Sequence, residues 1–300
     1  MVVSQPDRPS GRGRRLTPSP VSELAQTRGV PLLRPEQVGS AESEAALRAH
    51  RVDLGVVVAF GQFLPRRIRE LPDLGYLING HASLLPRWRG AAPIAWALLA
   101  GDAETGVSVM RVEREMDAGP VALVRRIPIG ADENAGELTA RLARLTADAV
   151  AEALERIAAG RVAWQEQDAA AATFAPKLGR DAARLDFAEE AAALARRVRA
   201  LAPRPGAFTE LGGEPLRILA AGVEPGPAEG APGTVQLGPD GAPRIATGEG
   251  WLVPRVLQRA GGRPLPAQEF VRGRPLPAGL RLPDAGGSRR LATGPGAPGR

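Results

Sequence analysis

The chain has 300 residues, 44% hydrophobic and 24% charged, which is room for one large domain or two modest ones with real cores. It contains no cysteine and two histidines, which excludes disulfides, thiolate nucleophiles, cysteine-bound zinc and three-histidine metal sites, so no metal is expected. No apolar run reaches the ~18 residues of a membrane span, and the N-terminus has no signal-peptide core, so a cytoplasmic protein with no membrane partner is expected.

Residues 1–21 are rich in Pro, Gly, Ser and Arg without a strand or helix period, and read as a loop. A helix is expected over Val21 to Thr27, a short strand at Pro31-Leu32-Leu33, and a helix over Ala41 to Arg51. Leu54 to Phe60 is a continuous apolar, β-branched run, the mark of a strand buried on both faces. A short helix at Leu64 to Glu70 precedes a strand at Gly75 to Asn79. After a loop over His81 to Gly90 come a helix from Ala91 to Ala100 and strands at Gly106 to Val112 and Val121 to Ile129. Leu138, Leu142, Leu145, Val150, Leu154 and Ile157 mark the longest helix, over 134–160. Strands alternating with helices predict an α/β domain with a mostly parallel, Rossmann-like sheet. A connecting segment at 161–184 leads to a helix from Glu189 to Leu201. Beyond Pro205, short apolar runs between Gly/Pro turns predict a small β domain, sandwich or barrel, over about 205–281, and a disordered tail is expected over 283–300. The expected domains are therefore 1–184, 185–282 and the tail.

The formal charge of +6 accompanies a pI of ≈ 11.0, because Lys177 is the single lysine among 39 basic residues and arginine stays charged. In so arginine-rich a chain the pI says little about partners. The rare polar residues say more: His50, His81, Asn79, Asn134, Tyr76 and Lys177. Two of them fall together in Ile78-Asn79-Gly80-His81, at the C-terminal end of a predicted strand, where ligands bind in parallel sheets. Asp117 precedes the next strand but one. An amide, an imidazole and a carboxylate suit acyl transfer, with a donor for an oxyanion and a paired acid and base. Each also has an ordinary reading: His81 as a core or loop residue, Asn79 as a turn cap, Asp117 as a turn residue, Arg87 and Arg89 as surface charge. Phosphate-binding signatures are missing, since no Gly-x-Gly-x-x-Gly follows a strand and Lys177 follows Ala-Pro.

Asn79-x-His81 followed by Ser83-Leu84-Leu85-Pro86-Arg87-Trp88-Arg89-Gly90, Gly101-Asp102-Ala103-Glu104-Thr105-Gly106 and Asp117-x-Gly119 resembles the 10-formyltetrahydrofolate-dependent formyltransferase family. The segment from Gln5 to Pro20 is similar to the basic loop of the members that formylate initiator methionyl-tRNA. Phe174-Ala175-Pro176-Lys177-Leu178 is similar to their linker motif. The resemblance spans about residues 4–282. It implies catalysis by Asn79, His81 and Asp117, a folate pocket shaped by Ser83, Leu84, Leu85 and Pro86, and tRNA contacts from Arg8, Arg12, Arg14, Arg15 and Lys177. It further implies a C-terminal β-barrel of OB-like type, 10-formyltetrahydrofolate as formyl donor, methionyl-tRNA as partner, and a monomer. Residues 5–20 carry four arginines against one aspartate, a cluster that suits a phosphate backbone. Two alternatives stay open: a small-molecule formyltransferase or formyltetrahydrofolate hydrolase, and a catalytically dead binding protein. Family members begin with a strand, a Gly-containing turn and a helix that have no counterpart here, where Met1-Val2-Val3 looks like the tail of a second strand. The expectation is that such a unit is encoded upstream of Met1, and that without it the sheet shows a gap or an unpaired edge.

Overall fold

The computed structural model describes residues 1–10, 13–277 and 279–283. Apart from Pro283, the expected tail lies outside the described residues. In chain order the first elements are β1 (Val2–Val3), β2 (Arg8–Ser10), β3 (Arg15–Thr17), α1 (Pro20–Thr27), β4 (Leu32–Leu33) and α2 (Ala41–Ala49). They are followed by β5 (Gly55–Val57), α3 (Arg66–Arg69), β6 (Leu77–His81), α4 (Pro93–Ala100), β7 (Glu104–Arg111), β8 (Val121–Pro128) and α5 (Ala135–Ala158). The remainder comprises α6 (Ala191–Leu201), β9 (Ala207–Leu211), β10 (Glu214–Glu224), β11 (Val235–Leu237), β12 (Pro243–Ala246), β13 (Trp251–Arg259), β14 (Leu265–Pro266) and α7 (Ala267–Gly273). Two compact units interleave along the chain: Met1–His81 with Ser108–Val124 and Asp148–Ala169, and Ala82–Val107 with Arg125–Ala147 and Ala170–Arg300.

In the first unit, local chemistry starts the helices. Ser19 and Ser40 accept hydrogen bonds from the backbone N–H of Ser22 and Ser43, capping α1 and α2, and Pro20 occupies the first turn where its missing N–H costs nothing. The stretch read as a loop at 1–21 contains a hairpin instead. Arg8 pairs with Thr17 and Pro9 with Leu16 across β2 and β3, and bidentate acceptance by Asp7 of one Arg34 nitrogen anchors the base of the hairpin. Arg8, Pro9, Arg15, Leu16 and Thr17 are exposed and Leu16 is the one large apolar residue of the two strands, so no apolar alternation announces it.

Besides the hairpin, the strands of this region form two sheets. β1 and β4 pair in parallel as a two-stranded sheet, and a four-stranded sheet has the order β5-β6-β7-β8. Among the described residues β5 has one ladder partner, β6. The run Leu54 to Phe60 is therefore not a strand buried on both faces. Only Gly55–Val57 is paired, and Val56 and Val58 are 43% and 52% exposed, because β5 stands at the edge of its sheet. The sheet is also mixed, not mostly parallel: β5 and β6 run parallel, β6 and β7 antiparallel. β7 and β8 are consecutive strands joined by a short connection, which permits the antiparallel hairpin and removes the need for a crossover helix.

The long helix α5 meets the stripe expectation in part. Leu138, Leu142, Ala149 and Ala153 are its fully buried positions, whereas Leu154 is exposed. The buried face follows i, i+4, i+7 spacing through alanines, whose small side chains allow close approach without standing out in an alanine-rich sequence.

The second unit contains the β-rich C-terminal part. Its strands follow the path β11-β12-β13-β10-β9, with β14 paired to β13 and every ladder antiparallel. The expected barrel thus takes the form of a six-stranded antiparallel sheet whose path ends at β9 and β11. Phe187, Leu194, Val198, Ile218, Leu252 and Phe270 fill its core. On α6, Arg197 is buried, and two of its nitrogens donate to Glu189 at 2.9 and 2.8 Å, so the buried charge meets its counter-ion bidentately.

Leu142→Ala should destabilise the protein by about 2–5 kcal/mol, whereas Leu154→Ala should change stability by less than about 1 kcal/mol. Denaturant unfolding of both variants checks which face of α5 is buried.

Candidate active site

Strand β6 carries the Asn-x-His pair. It lies between two neighbours, with Val57 of β5 opposite Asn79, and with Met110 and Ser108 of β7 opposite Asn79 and His81. Alternation along a strand puts Asn79 and His81 on one face and buries Ile78 on the other. His81 itself is buried, and its Nδ1 lies 3.6 Å from Oδ2 of Asp117, whose carboxylate is also largely buried. The distance is that of an ion pair and longer than a formed hydrogen bond.

The loop after β7 delivers Asp117. Its backbone is left-handed, with φ of 53°, an unfavourable region for an aspartate. Two residues later, a Cβ on Gly119 would run into the Arg111 carbonyl, so the chain passes there only because glycine has none. The loop is held from the connecting segment as well. Gln167 donates from its amide nitrogen to the carbonyls of Asp117 at 2.9 Å and Gly119 at 2.7 Å. That segment is itself fixed: Gln165 and Val121 exchange both backbone hydrogen bonds, and the Arg111 guanidinium packs 4.3 Å from the Tyr76 ring and 4.2 Å from the Trp164 ring. Sequence reading missed Gln167, and a lone glutamine in a connecting segment carries no local signal.

The second unit contains the Ser83–Pro86 turn. Ser83 Oγ donates to the Arg87 carbonyl at 2.7 Å, and the Arg87 N–H donates to the Leu84 carbonyl at 3.0 Å, closing the turn. Asp102 pins the next two residues, accepting from Arg87 at 2.6 and 3.1 Å and from the Trp88 indole N–H at 2.7 Å. Trp88 stacks on Trp96 with ring centroids 5.9 Å apart. The 173–175 segment backs the loop through hydrogen bonds of Trp88 and Arg89 to Thr173 and of Ala175 to Arg89. Arg87, though exposed, is thereby tied to Asp102, and Arg89 is buried, so neither is plain surface charge. Leu84 leans over Gly106, where a Cβ would sit 2.6 Å from its methyl group. Of the predicted basic residues, Arg8, Arg14 and Arg15 are exposed on the hairpin and Lys177 is exposed near the buried Ala175, while Arg12 lies outside the described residues. Among the described residues no helix is long and apolar enough to cross a membrane, and no group of three or more potential metal ligands occurs.

An Asn-x-His on a central strand facing a buried aspartate, together with a clamped Ser-Leu-Leu-Pro turn, defines a class. Residues 1–154 match the family described as formyl transferase, and residues 177–275 match the one described as formyl transferase, C-terminal domain; the chain belongs to the formyltransferase family. Within it, the chain is 48% identical over 278 residues to methionyl-tRNA formyltransferase of Halorhodospira halophila, covering 93% of this chain and 89% of that one. The corresponding enzyme of Chromobacterium violaceum is 44% identical over 283 residues, covering 94% and 91%. Among solved structures, WlaRD, a sugar 3N-formyl transferase crystallised with dTDP and 5-N-formyl-THF, superposes with a TM-score of 0.60 at 12% identity, covering 81% of this chain and 82% of that one. HypX from Aquifex aeolicus in complex with tetrahydrofolic acid gives a TM-score of 0.56 at 23% identity, covering 76% of this chain and 40% of that one. At such identities the structural likeness shows the shared fold.

Gly90 combines a φ of 123° with a Cβ position 2.8 Å from the Ala175 carbonyl, so Gly90→Ala should cost about 1–3 kcal/mol from backbone strain alone. A lowered thermal midpoint, with early loss of tryptophan near-UV circular dichroism, is the expected outcome.

Proposed function

We propose that this protein transfers the formyl group of 10-formyltetrahydrofolate to the α-amino group of initiator methionyl-tRNA. What carries this reading is sequence identity of 44–48% to proteins named methionyl-tRNA formyltransferase, running through more than nine-tenths of the chain. A small-molecule transferase is not favoured by relatives of that identity and coverage. The same reading has a transferase domain giving way to the C-terminal part near residue 184, and a monomer working in the cytoplasm.

Attack by the neutral amine on the formyl carbon forms a C–N bond and moves negative charge onto the formyl oxygen. Donors already aimed at that oxygen are worth more than donors that must reorient. Asn79 supplies an amide N–H and protonated His81 an imidazolium N–H from the same face of β6. The Asp117 carboxylate, 3.6 Å from the ring, is the counter-ion of that imidazolium. His81 gives its proton to the folate nitrogen as the bond to the formyl carbon breaks, and takes up the proton that the attacking amine sheds. Ser83, Leu84, Leu85 and Pro86, held by the Ser83–Arg87 and Arg87–Asp102 contacts, offer a preformed surface to the folate. Arg8, Arg12, Arg14, Arg15 and Lys177 hold the tRNA phosphates. The exposure of Arg8, Arg14, Arg15 and Lys177 supports that role, since a guanidinium or ammonium in water is available to a polyanion.

His81→Ala and Asp117→Ala should each lower turnover by about 100-fold or more, with tRNA affinity retained; single-turnover formylation of methionyl-tRNA measures both. Near-normal turnover in either variant would defeat the assigned roles. Arg15→Ala or Arg12→Ala should weaken tRNA binding and reduce the salt slope of log K by about one, with binding of formylfolate unchanged. Equal tRNA binding by variant and parent at two salt concentrations would remove the hairpin from the interface.

A further inference from the structure

Asp117 is the member of the site with the least support from regular structure. Asn79 and His81 sit on a strand paired on both sides, whereas Asp117 lies in the loop that joins β7 to β8, in a left-handed backbone conformation. A carboxylate held 3.6 Å from its imidazole works only if the loop keeps it there, because misplacement of a reacting group by about 1 Å costs on the order of 100-fold in rate.

The side chain that bridges this loop is Gln167. Its amide nitrogen donates to the Asp117 carbonyl and to the Gly119 carbonyl, so both hydrogens of one NH₂ group span the residue between them. Two carbonyl acceptors at that position fix the amide orientation, since its own oxygen there would face two others. The sulfur of Met110, the residue paired with Asn79, is 4.0 Å from the same nitrogen. Gln167 in turn has a fixed base, through the Gln165–Val121 backbone pair and the Arg111–Trp164 contact. We propose that Gln167 is a positioning residue of this enzyme: by clamping the carbonyls of Asp117 and Gly119 it sets the Asp117 carboxylate against His81. The proposal rests on the reading of Asn79, His81 and Asp117 as the catalytic group.

The test is a double-mutant cycle with Gln167→Met, which keeps the length of the side chain and removes the donor, in the parent and in Asp117→Ala. In the parent, Gln167→Met should lower kcat by about 10- to 100-fold with KM for formylfolate and for methionyl-tRNA within about twofold. In the Asp117→Ala background it should lower kcat no further. The chain has two histidines, so the imidazole resonances are simple to assign; those of His81 should move in Gln167→Met and those of His50 should not. If Gln167→Met does not fold, Gln167→Asn, which shortens the reach and retains the amide, should give a smaller loss that also vanishes without Asp117. Equal losses in both backgrounds, an unchanged kcat in the parent, or an unmoved His81 resonance would overturn the proposal while leaving the catalytic group intact. Near-normal turnover by Asp117→Ala itself would overturn the catalytic reading and the clamp together.

Discussion

Strand β6 is hydrogen-bonded along both edges, to β5 in parallel and to β7 in antiparallel register, and the geometry of the site depends on that double restraint. A strand paired on both sides has no freedom to slip, because a shift by one residue would turn the buried Ile78 to the face that carries Asn79 and His81. The two polar side chains therefore emerge side by side at the strand end. The antiparallel β7 then returns the chain to the start of β6, with Arg111 opposite Ile78, and the loop after it folds back to bring Asp117 within 3.6 Å of His81.

In each unit an irregular segment is stiffened by the same device, a polar side chain from elsewhere in the sequence that satisfies several partners at once. In one unit Gln167 bridges the Asp117 and Gly119 carbonyls. In the other, Asp102 gathers the Arg87 guanidinium and the Trp88 indole N–H on a single carboxylate. Loops have no ladder to fix them, so a multiply bonded side chain substitutes for one, and a charge-assisted bond is stronger than a neutral one. The glycines at 90, 106 and 119 complete the arrangement by removing the Cβ atoms that would hold neighbouring backbone or side chains apart.

The high pI reflects arginine content more than a partner. Arg34, Arg48, Arg66, Arg141 and Arg156 sit in ion pairs with Asp7, Glu44, Glu70, Glu133 and Glu152, and Arg111 lies between two aromatic rings. Exposed pairs of this kind contribute little to stability, about 0–1 kcal/mol each, but they reduce the positive field of the surface. The exposed arginines of the β2–β3 hairpin differ in being concentrated on one short segment whose one aspartate is already occupied by Arg34.

The sequence alone determined the order of strands and helices, the placement of Asn79 and His81 on one face at a strand end, and the family resemblance. These depend on local periodicity and on residues close together in the chain, and local periodicity is legible without a fold. Most helices and strands fall within a few residues of their expected limits. Only the tertiary structure decided the rest. The hairpin at 8–17 has no apolar alternation to announce it, and the exposure of Val56 and Val58 depends on β5 having a neighbour on one side. The antiparallel return of β7, the 3.6 Å approach of Asp117 to His81 and the grip of Gln167 on the Asp117 loop join residues tens of positions apart. Such pairings are chosen by competition among non-local contacts, which a one-dimensional pattern does not record.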